Sequence, residues 1–519
     1  MSNTVIITIP MIMLFFGLMI GVGIYCRKHS TNVEGFVLGG RNVGPWLTAF
    51  AFGTSYFSAV IFVGYAGQFG WNFGLASTWI GLGNAFIGSL LAWSVLGRRT
   101  RVMTQHLGSK TMPDFFEKRY DSKKLKVIAS FIVFIFLIPY TASLYNGLSS
   151  LFNNVFNIDY WIIVVVMSVL TGVYVIFGGY MATAINDFIQ GIVMLVGIIA
   201  VIVSVLNSHG GFNAAVESLG VKAGSQYTSI FSPNPIFLFF VIMLTSLGTW
   251  GLPQMVGKFY SIKNEASIKK GTIISTVFAI IVAGGCYFLG GFGRLYEPVM
   301  KNGKVLYDSI IPTMIKDLPA VVVSLVIVLV LSASMSTLSS LVLTSASTIT
   351  LDVVKPLLKK DLNEKKSIFI MRLFIVFFIA VSAVIAILKD SIWSESVFIP
   401  QMMGVSWGAL AGAFLAPFLY GLYWKKTSKA AVAASFTFGV GLEIIQLLIG
   451  IGMINVQNIP VLNFVFTNSL YSGVFAMVIG LVIVPVVSVF TKKTVPENIE
   501  EKFSCYEHIV TTNKKNSLG

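Results

Sequence analysis

Charge is scarce in this chain: Asp, Glu, Lys and Arg make up 11% of its 519 residues, where soluble domains carry about a quarter. That excludes an ordinary soluble protein. The 55% hydrophobic content and a mean hydropathy of +0.83 point instead to a polytopic membrane protein in a lipid bilayer. Cysteine is nearly absent as well. Cys26, Cys286 and Cys505 lie far apart, without metal-ligand or redox spacing, and His29, His106, His209 and His508 fall in predicted loops or the tail. There is no GxxxxGK(S/T) phosphate loop and no soluble region to carry a nucleotide domain, which argues against a primary pump. The apolar runs lack paired carboxylates, a His-rich motif and a nucleophile elbow, so a membrane enzyme has no catalytic cluster to use.

What fills the chain is apolar runs of about 20 residues, the length that crosses a bilayer. Thirteen spans are predicted, near 4–26, 46–67, 76–97, 127–153, 160–178, 187–207, 235–255, 271–292, 319–343, 369–388, 396–423, 430–453 and 468–490. The first has no Lys or Arg before it and no small-residue cleavage site after it, so it reads as a retained helix. Lys and Arg collect in cytoplasmic loops, and with the N-terminus outside, the cytoplasmic segments hold 30 of them against 6 outside. The expected location is the cell membrane, multi-pass, N-terminus outside and C-terminus cytoplasmic. The +15 net charge is then a matter of topology and anionic headgroups, not of nucleic acid.

No connection is long enough to bury a core of its own. Residues 1–493 are read as one transmembrane domain and 494–519 as a polar, poorly ordered cytoplasmic tail. Within the loop 97–126, the piece "MPDFFEKRY" reads as an amphipathic helix along the membrane interface.

Two spans look interrupted. Span 2 carries Gly53-Thr54-Ser55 in its middle, and span 7 carries Gly248, Gly251 and Pro253 in close succession. Non-helical backbone at membrane depth is tolerated where it is buried in protein or lines a cavity. A pair of interrupted spans in corresponding places of two halves points to a transporter's binding site; close glycine packing is the other reading.

The segment "SASMSTLSS", 332–340, loads span 9 with hydroxyls. Residues three and four apart share a helix face, so Ser336 and Thr337 stand beside the carbonyl of Ala333. Three neutral oxygens suit a monovalent cation that must be released each cycle, and a broken span 2 offers two further carbonyls, at Thr54 and Phe57. Small residues that let helices approach are the alternative. The solute cavity expected between the broken spans has as candidates Tyr65, Gln68, Asn84, Tyr140, Asn146, Thr249, Trp250, Gln254 and Trp407. No charged side chain is placed in that cavity, which favours a zwitterionic or carboxylate solute held by half-helix N-termini over a sugar. Glu443 lies inside span 12 and reads as a structural residue, protonated or paired with Gln446.

The stretches "FVLGGRNVGPWLTAFAFGTSYFSA" (36–59), "IPYTASLYNG" (138–147), "VIFGGYMATAINDFIQG" (175–191) and "LSASMSTLSSLVLTSASTIT" (331–350) resemble the sodium:solute symporters. Among these, the group containing the sodium/proline symporter is the most similar. The resemblance implies an all-α, leucine-transporter-like fold: two inverted five-helix repeats, about 46–207 and 235–423, with discontinuous helices 2 and 7. It implies sodium-coupled uptake of a small organic solute by alternating access, by a monomer, with Na+ on Thr54, Phe57, Ala333, Ser336 and Thr337. Asp187 resembles a way-station for departing sodium; its plain role is an N-cap of span 6. The chain departs from the proline group at Tyr56, where the group has an aspartate, and at Thr245 and Thr249, where it has Trp and Tyr. An amino acid or other carboxylate is the expected solute. Pantothenate, prompted by "NDFIQGIVMLVG" (186–197), and sugar are alternatives within the family, and a transporter-like membrane sensor is the alternative of a different class.

Overall fold

The computed structural model describes residues 3–156, 158–301, 303–358, 363–392, 398–456 and 458–507. The long helices are α1 (Asn3–Cys26), α2 (Pro45–Tyr56), α3 (Lys123–Phe156), α4 (Tyr160–Ser208), α5 (Pro235–Leu247), α6 (Pro253–Tyr260), α7 (Glu265–Ala279), α8 (Ala320–Thr348), α9 (Glu364–Ile392), α10 (Phe398–Tyr423), α11 (Lys429–Gly450) and α12 (Ser469–Phe490). Among the described residues, ten helices are long and apolar enough to cross a membrane, or eleven if the bent pair α5–α6 is one span. The protein is a helical, multi-span membrane protein.

Backbone polar groups have no water to turn to in hydrocarbon, so the spans are helical and depart from helix only where the backbone is buried in protein. Two helical stretches are about twice the length one crossing needs: Val60–His106 has 47 residues and Tyr160–Ser208 has 49, against the roughly 20 that span a bilayer. Each has a positive-φ glycine inside it. Gly74 sits at φ 60°, and a Cβ there would fall 2.1 Å from the Tyr227 carbonyl oxygen. Gly179 sits at φ 54°, ψ −149°, a region other residues essentially avoid, with the Phe36 carbonyl 2.8 Å from where a Cβ would be. The expected loop 179–186 between spans 5 and 6 is therefore a single-residue kink within α4.

At the centre stands α8, buried on nearly every side from Val323 to Thr348. It packs against α1, α2, α3, α4 and α9. Its hydroxyls mostly bond back one turn, Ser332 to Val328 O at 2.7 Å and Ser334 to Val330 O at 2.9 Å, so their burial costs little. α1 lies at the edge of the bundle, pinned by the Thr8 and Ser324 hydroxyls at 2.7 Å.

Two sequence expectations change at the basic face of the molecule, where the loops rich in Lys and Arg gather. The "MPDFFEKRY" helix, capped by Thr111, does not lie along the lipid interface: Phe115 and Phe116 are buried against Phe418, Phe414 and Phe436. Its aromatic face found protein to cover it. The described part of the tail, to Glu507, packs against the protein. Phe503 is buried, with the Arg119 guanidinium 5.0 Å from its ring, while Arg99 sits 4.6 Å from the Tyr506 ring, whose hydroxyl donates to Arg99 O. Burial of Phe503 and Tyr506 on arginines outweighs the polarity of the segment. Residues 508–519, and His508 among them, lie outside the described residues.

Glu443 is fully buried between α10, α11 and α12, but it is not paired with Gln446. Neither of its oxygens has a hydrogen-bond partner among the described residues, and Gln446 Oε1 also lacks one. Its carboxyl fills the space over Gly408, where a Cβ would fall 2.4 Å from Glu443 Oε1.

Candidate functional site

The interruption of span 2 falls later than glycine alone suggested. Gly53, Thr54 and Ser55 are still helical, and Gly53 serves the close approach of the Phe278 ring, 2.5 Å from where a Cβ would be. α2 ends at Tyr56, Phe57 is extended (φ −100°, ψ 98°), and the chain re-enters helix at Ala59. The last four carbonyls of a helix have no partner within it. Gly53 O takes the Phe57 N–H at 3.2 Å, which leaves the carbonyls of Thr54, Ser55 and Tyr56 at the open end of α2.

Against that open end lies the middle of α8. Thr337 Oγ1 is 3.1 Å from Ala333 O, 3.4 Å from Ser55 O and 3.5 Å from Thr54 O. Ser336 Oγ, also fully buried, has no hydrogen-bond partner. A buried hydroxyl left without a partner is costly, and here it is carried by the residue next to Thr337, beside the Asp187 carboxylate. Ser55 is the residue the sequence reading missed: its carbonyl faces Thr337, and its hydroxyl meets Ser340 Oγ at 2.7 Å.

Span 7 breaks where its glycines and proline predict. α5 runs into a tight turn at Gly248–Gly251, Leu252 is extended, and α6 leaves at 48° to α5. The two broken spans meet through Tyr56, whose hydroxyl donates to Thr245 O. The phenol standing where the proline group has an aspartate is thus a strut from α2 to α5.

The candidate solute residues fall into three groups. Tyr140 and Trp407 come together edge-on at 5.9 Å beside the α2 break, and Tyr140 Oη, Trp407 Nε1 and Ser58 Oγ are all buried without hydrogen-bond partners. Tyr65 is fully buried against Phe69, and Gln68 has a buried, unpartnered Oε1. Asn84, Thr249 and Trp250 instead bridge helices: Asn84 Oδ1 accepts from Thr245 and Ser246 at 3.0 Å each, Thr249 Oγ1 reaches Gly88 O at 3.5 Å besides its local bond to Ser246 O, and Trp250 Nε1 donates to Ile87 O at 3.1 Å. Gln254 lies apart from the rest, in a cleft at the basic face with Lys258, Tyr180 and Ser340. The side chain of Asn146 lies outside the described residues.

Asp187 is not an N-cap. It sits two turns beyond the Gly179 kink, inside α4 and fully buried. Its partner is Lys258, which belongs to α6, is 3% exposed, and holds its Nζ 3.5 Å from Asp187 Oδ2. The site region therefore does contain a charged pair. The signal for it was the i, i+4 spacing of Gln254 and Lys258, which puts both on one face of α6.

The family model of the sodium:solute symporter family matches residues 36–439. The chain belongs to the sodium:solute symporter family. Curated relatives include the sodium/proline symporters of Staphylococcus aureus strains JH9 and COL, each 28% identical over 504 residues, covering 94% of this chain and 93% of the relative. Among solved structures, a Na+-coupled sialic acid symporter in a substrate-bound outward-open state superposes with a TM-score of 0.74 at 16% identity, covering 93% of this chain and 97% of that one. A nucleobase-cation-symport-1 family transporter, in a closed conformation with bromovinylhydantoin bound, follows at 0.50 and 14%, covering 92% and 99%. These likenesses give this sodium:solute symporter the leucine-transporter-like fold expected from the resemblance. It is a sodium-coupled symporter of a small solute, with Na+ as the coupling ion, and not an enzyme.

Proposed function

We propose that the coupling sodium binds where the open end of α2 meets α8, on the carbonyls of Thr54, Phe57 and Ala333 and the hydroxyls of Ser336 and Thr337. The observation that carries this reading is Thr337 Oγ1 lying within 3.5 Å of carbonyls from both helices, next to a Ser336 hydroxyl with no partner. An ion there supplies what the buried oxygens lack, and its loss frees the two helices to move apart. Asp187 lies on the path by which sodium leaves toward the basic face, which we take to be cytoplasmic, with the N-terminus outside.

Thirteen crossings follow if the two overlong stretches each divide at their positive-φ glycine and the broken spans each count once. Spans 2–6 and 7–11 then form the two inverted repeats, with breaks in their first members.

The solute is an amino acid or other small carboxylate, held near the α2 break by Tyr140, Trp407 and Ser58, whose polar atoms are buried without hydrogen-bond partners among the described residues. The relatives named for proline make proline the first compound to try. Tyr56, Thr245 and Thr249 argue for a different side chain in the pocket, because the last two hydroxyls are already engaged, Thr245 with Asn84 and Thr249 with Ser246 O.

Sodium entering down about 100 mV gains about 2.3 kcal/mol, and a tenfold concentration ratio adds about 1.4. Together these sustain roughly 500-fold accumulation of a neutral solute. Coupling requires that sodium and solute raise each other's affinity by the same factor. The test is thermal stabilisation of the purified protein by amino acids, carboxylates, pantothenate and sugars, with and without sodium, alongside Ser336→Ala. A sodium-dependent hit lost in Ser336→Ala supports the site and names the solute class; a mutant that responds like its parent removes the site.

A further inference from the structure

Lys258 is a buried cation next to the proposed sodium position. Besides its 3.5 Å approach to Asp187 Oδ2, its Nζ donates to Ser340 Oγ at 3.0 Å. Ser340 Oγ is in turn 2.7 Å from Ser55 Oγ, on the residue whose carbonyl faces Thr337. On the other side, the Ser336 hydroxyl lies beside the Asp187 carboxylate. The ammonium and the ion site are thus joined by two serines and share one carboxylate.

The contact is loose. Charge-assisted N–H···O pairs close to about 2.7–2.9 Å when nothing competes, and this pair stands at 3.5 Å, with the ammonium also held by Ser340. Lys258 lines the cleft at the basic face, between Lys110–Met112 and Ser340–Thr348, so it stands on the side toward which the ion leaves. A symporter must also complete half its cycle with no ion bound, and a buried carboxylate with no cation is strongly penalised.

We propose that Lys258 is a tethered cation that takes over Asp187 when sodium leaves, so that sodium and the ammonium are alternative partners of one carboxylate. Resting on the reading of Thr54, Ser336 and Thr337 as the sodium site, the inference adds a positioning residue for the return of the empty carrier. While Lys258 holds Asp187, sodium on the release path meets a carboxylate already neutralised and a like charge beside it. While sodium holds Asp187, the ammonium is kept at Ser340. A single carboxylate then balances one cation at a time.

The experiment measures binding of radiolabelled sodium alone to the purified protein, so no solute need be known. Lys258→Gln removes the competitor and is expected to bind sodium at least tenfold more tightly, while Lys258→Arg stays within threefold of the parent. Asp187→Asn leaves the ammonium unbalanced beside the ion and is expected to weaken sodium binding at least tenfold; it serves also if Lys258→Gln does not fold. Adding Lys258→Gln to Asp187→Asn should restore binding, a readout that a purely structural lysine would not give. Ser336→Ala runs alongside. If Ser336→Ala binds sodium like the parent, the ion site itself is wrong; if it loses sodium while Lys258→Gln binds no more tightly, or Asp187→Asn is unchanged, the tethered cation alone is overturned.

Discussion

Replacing Thr337 by valine keeps the shape of the side chain and removes one oxygen, the one that reaches Ala333 O at 3.1 Å, Ser55 O at 3.4 Å and Thr54 O at 3.5 Å. An interaction with a charged partner contributes about 1.5–3 kcal/mol, and each 1.4 kcal/mol is about tenfold in affinity. Sodium affinity is therefore expected to fall about 10- to 150-fold in Thr337→Val. For a parent binding sodium with Kd about 1 mM, 100 mM sodium stabilises the fold by about 2.7 kcal/mol, and the variant retains between about 1.4 and 0.3 kcal/mol. The assay is a sodium titration of thermal stability, choline replacing sodium at constant ionic strength. Ser332→Ala is the control, because the Ser332 hydroxyl bonds back to Val328 O. If Thr337→Val keeps its parent's sodium response, or if Ser332→Ala loses as much, the hydroxyls of α8 are packing groups and the assignment is wrong.

Gly179→Ala should lower the melting temperature by several degrees, since its backbone conformation costs a non-glycine residue about 1–3 kcal/mol and Phe36 O leaves no room for a Cβ; Gly17→Ala, with nothing within 4 Å, should be neutral. Tyr140→Phe removes a hydroxyl that has no hydrogen-bond partner among the described residues, so it should raise the KM for solute about tenfold with little change in stability, measured by uptake into proteoliposomes; Trp407→Phe should raise KM as well but also lower stability, because it opens a cavity at a buried indole. Glu443→Gln should leave uptake within twofold of the parent, because its carboxyl has no hydrogen-bond partner to lose among the described residues; a larger loss would put this residue in the transport cycle.

Much of the ion site was legible because it is local on each of two segments. Helical spacing alone puts Ser336 and Thr337 beside the Ala333 carbonyl, and glycine and proline mark where span 7 must bend. The break in span 2 was displaced by a turn because Gly53 answers to the Phe278 ring, a neighbour far along the chain. Lys258 went unread for a related reason. A lone lysine near the end of a span reads as a loop charge until the partner that makes its burial affordable, Asp187, is brought alongside by the packing of α4 on the core. The tail and the "MPDFFEKRY" helix were misplaced because an exposed aromatic face does not say whether lipid or protein will cover it.

The sequence by itself determined that this chain spans a membrane many times, since about twenty apolar residues leave backbone no choice but helix. It also determined the oxygens on offer, because side-chain chemistry and helical period travel with the chain. Only the tertiary structure decided which of those oxygens meet across two helices, and which buried charge answers which. Contacts between α2, α4, α6 and α8 join residues tens to hundreds of positions apart, and no local pattern encodes the distance between them.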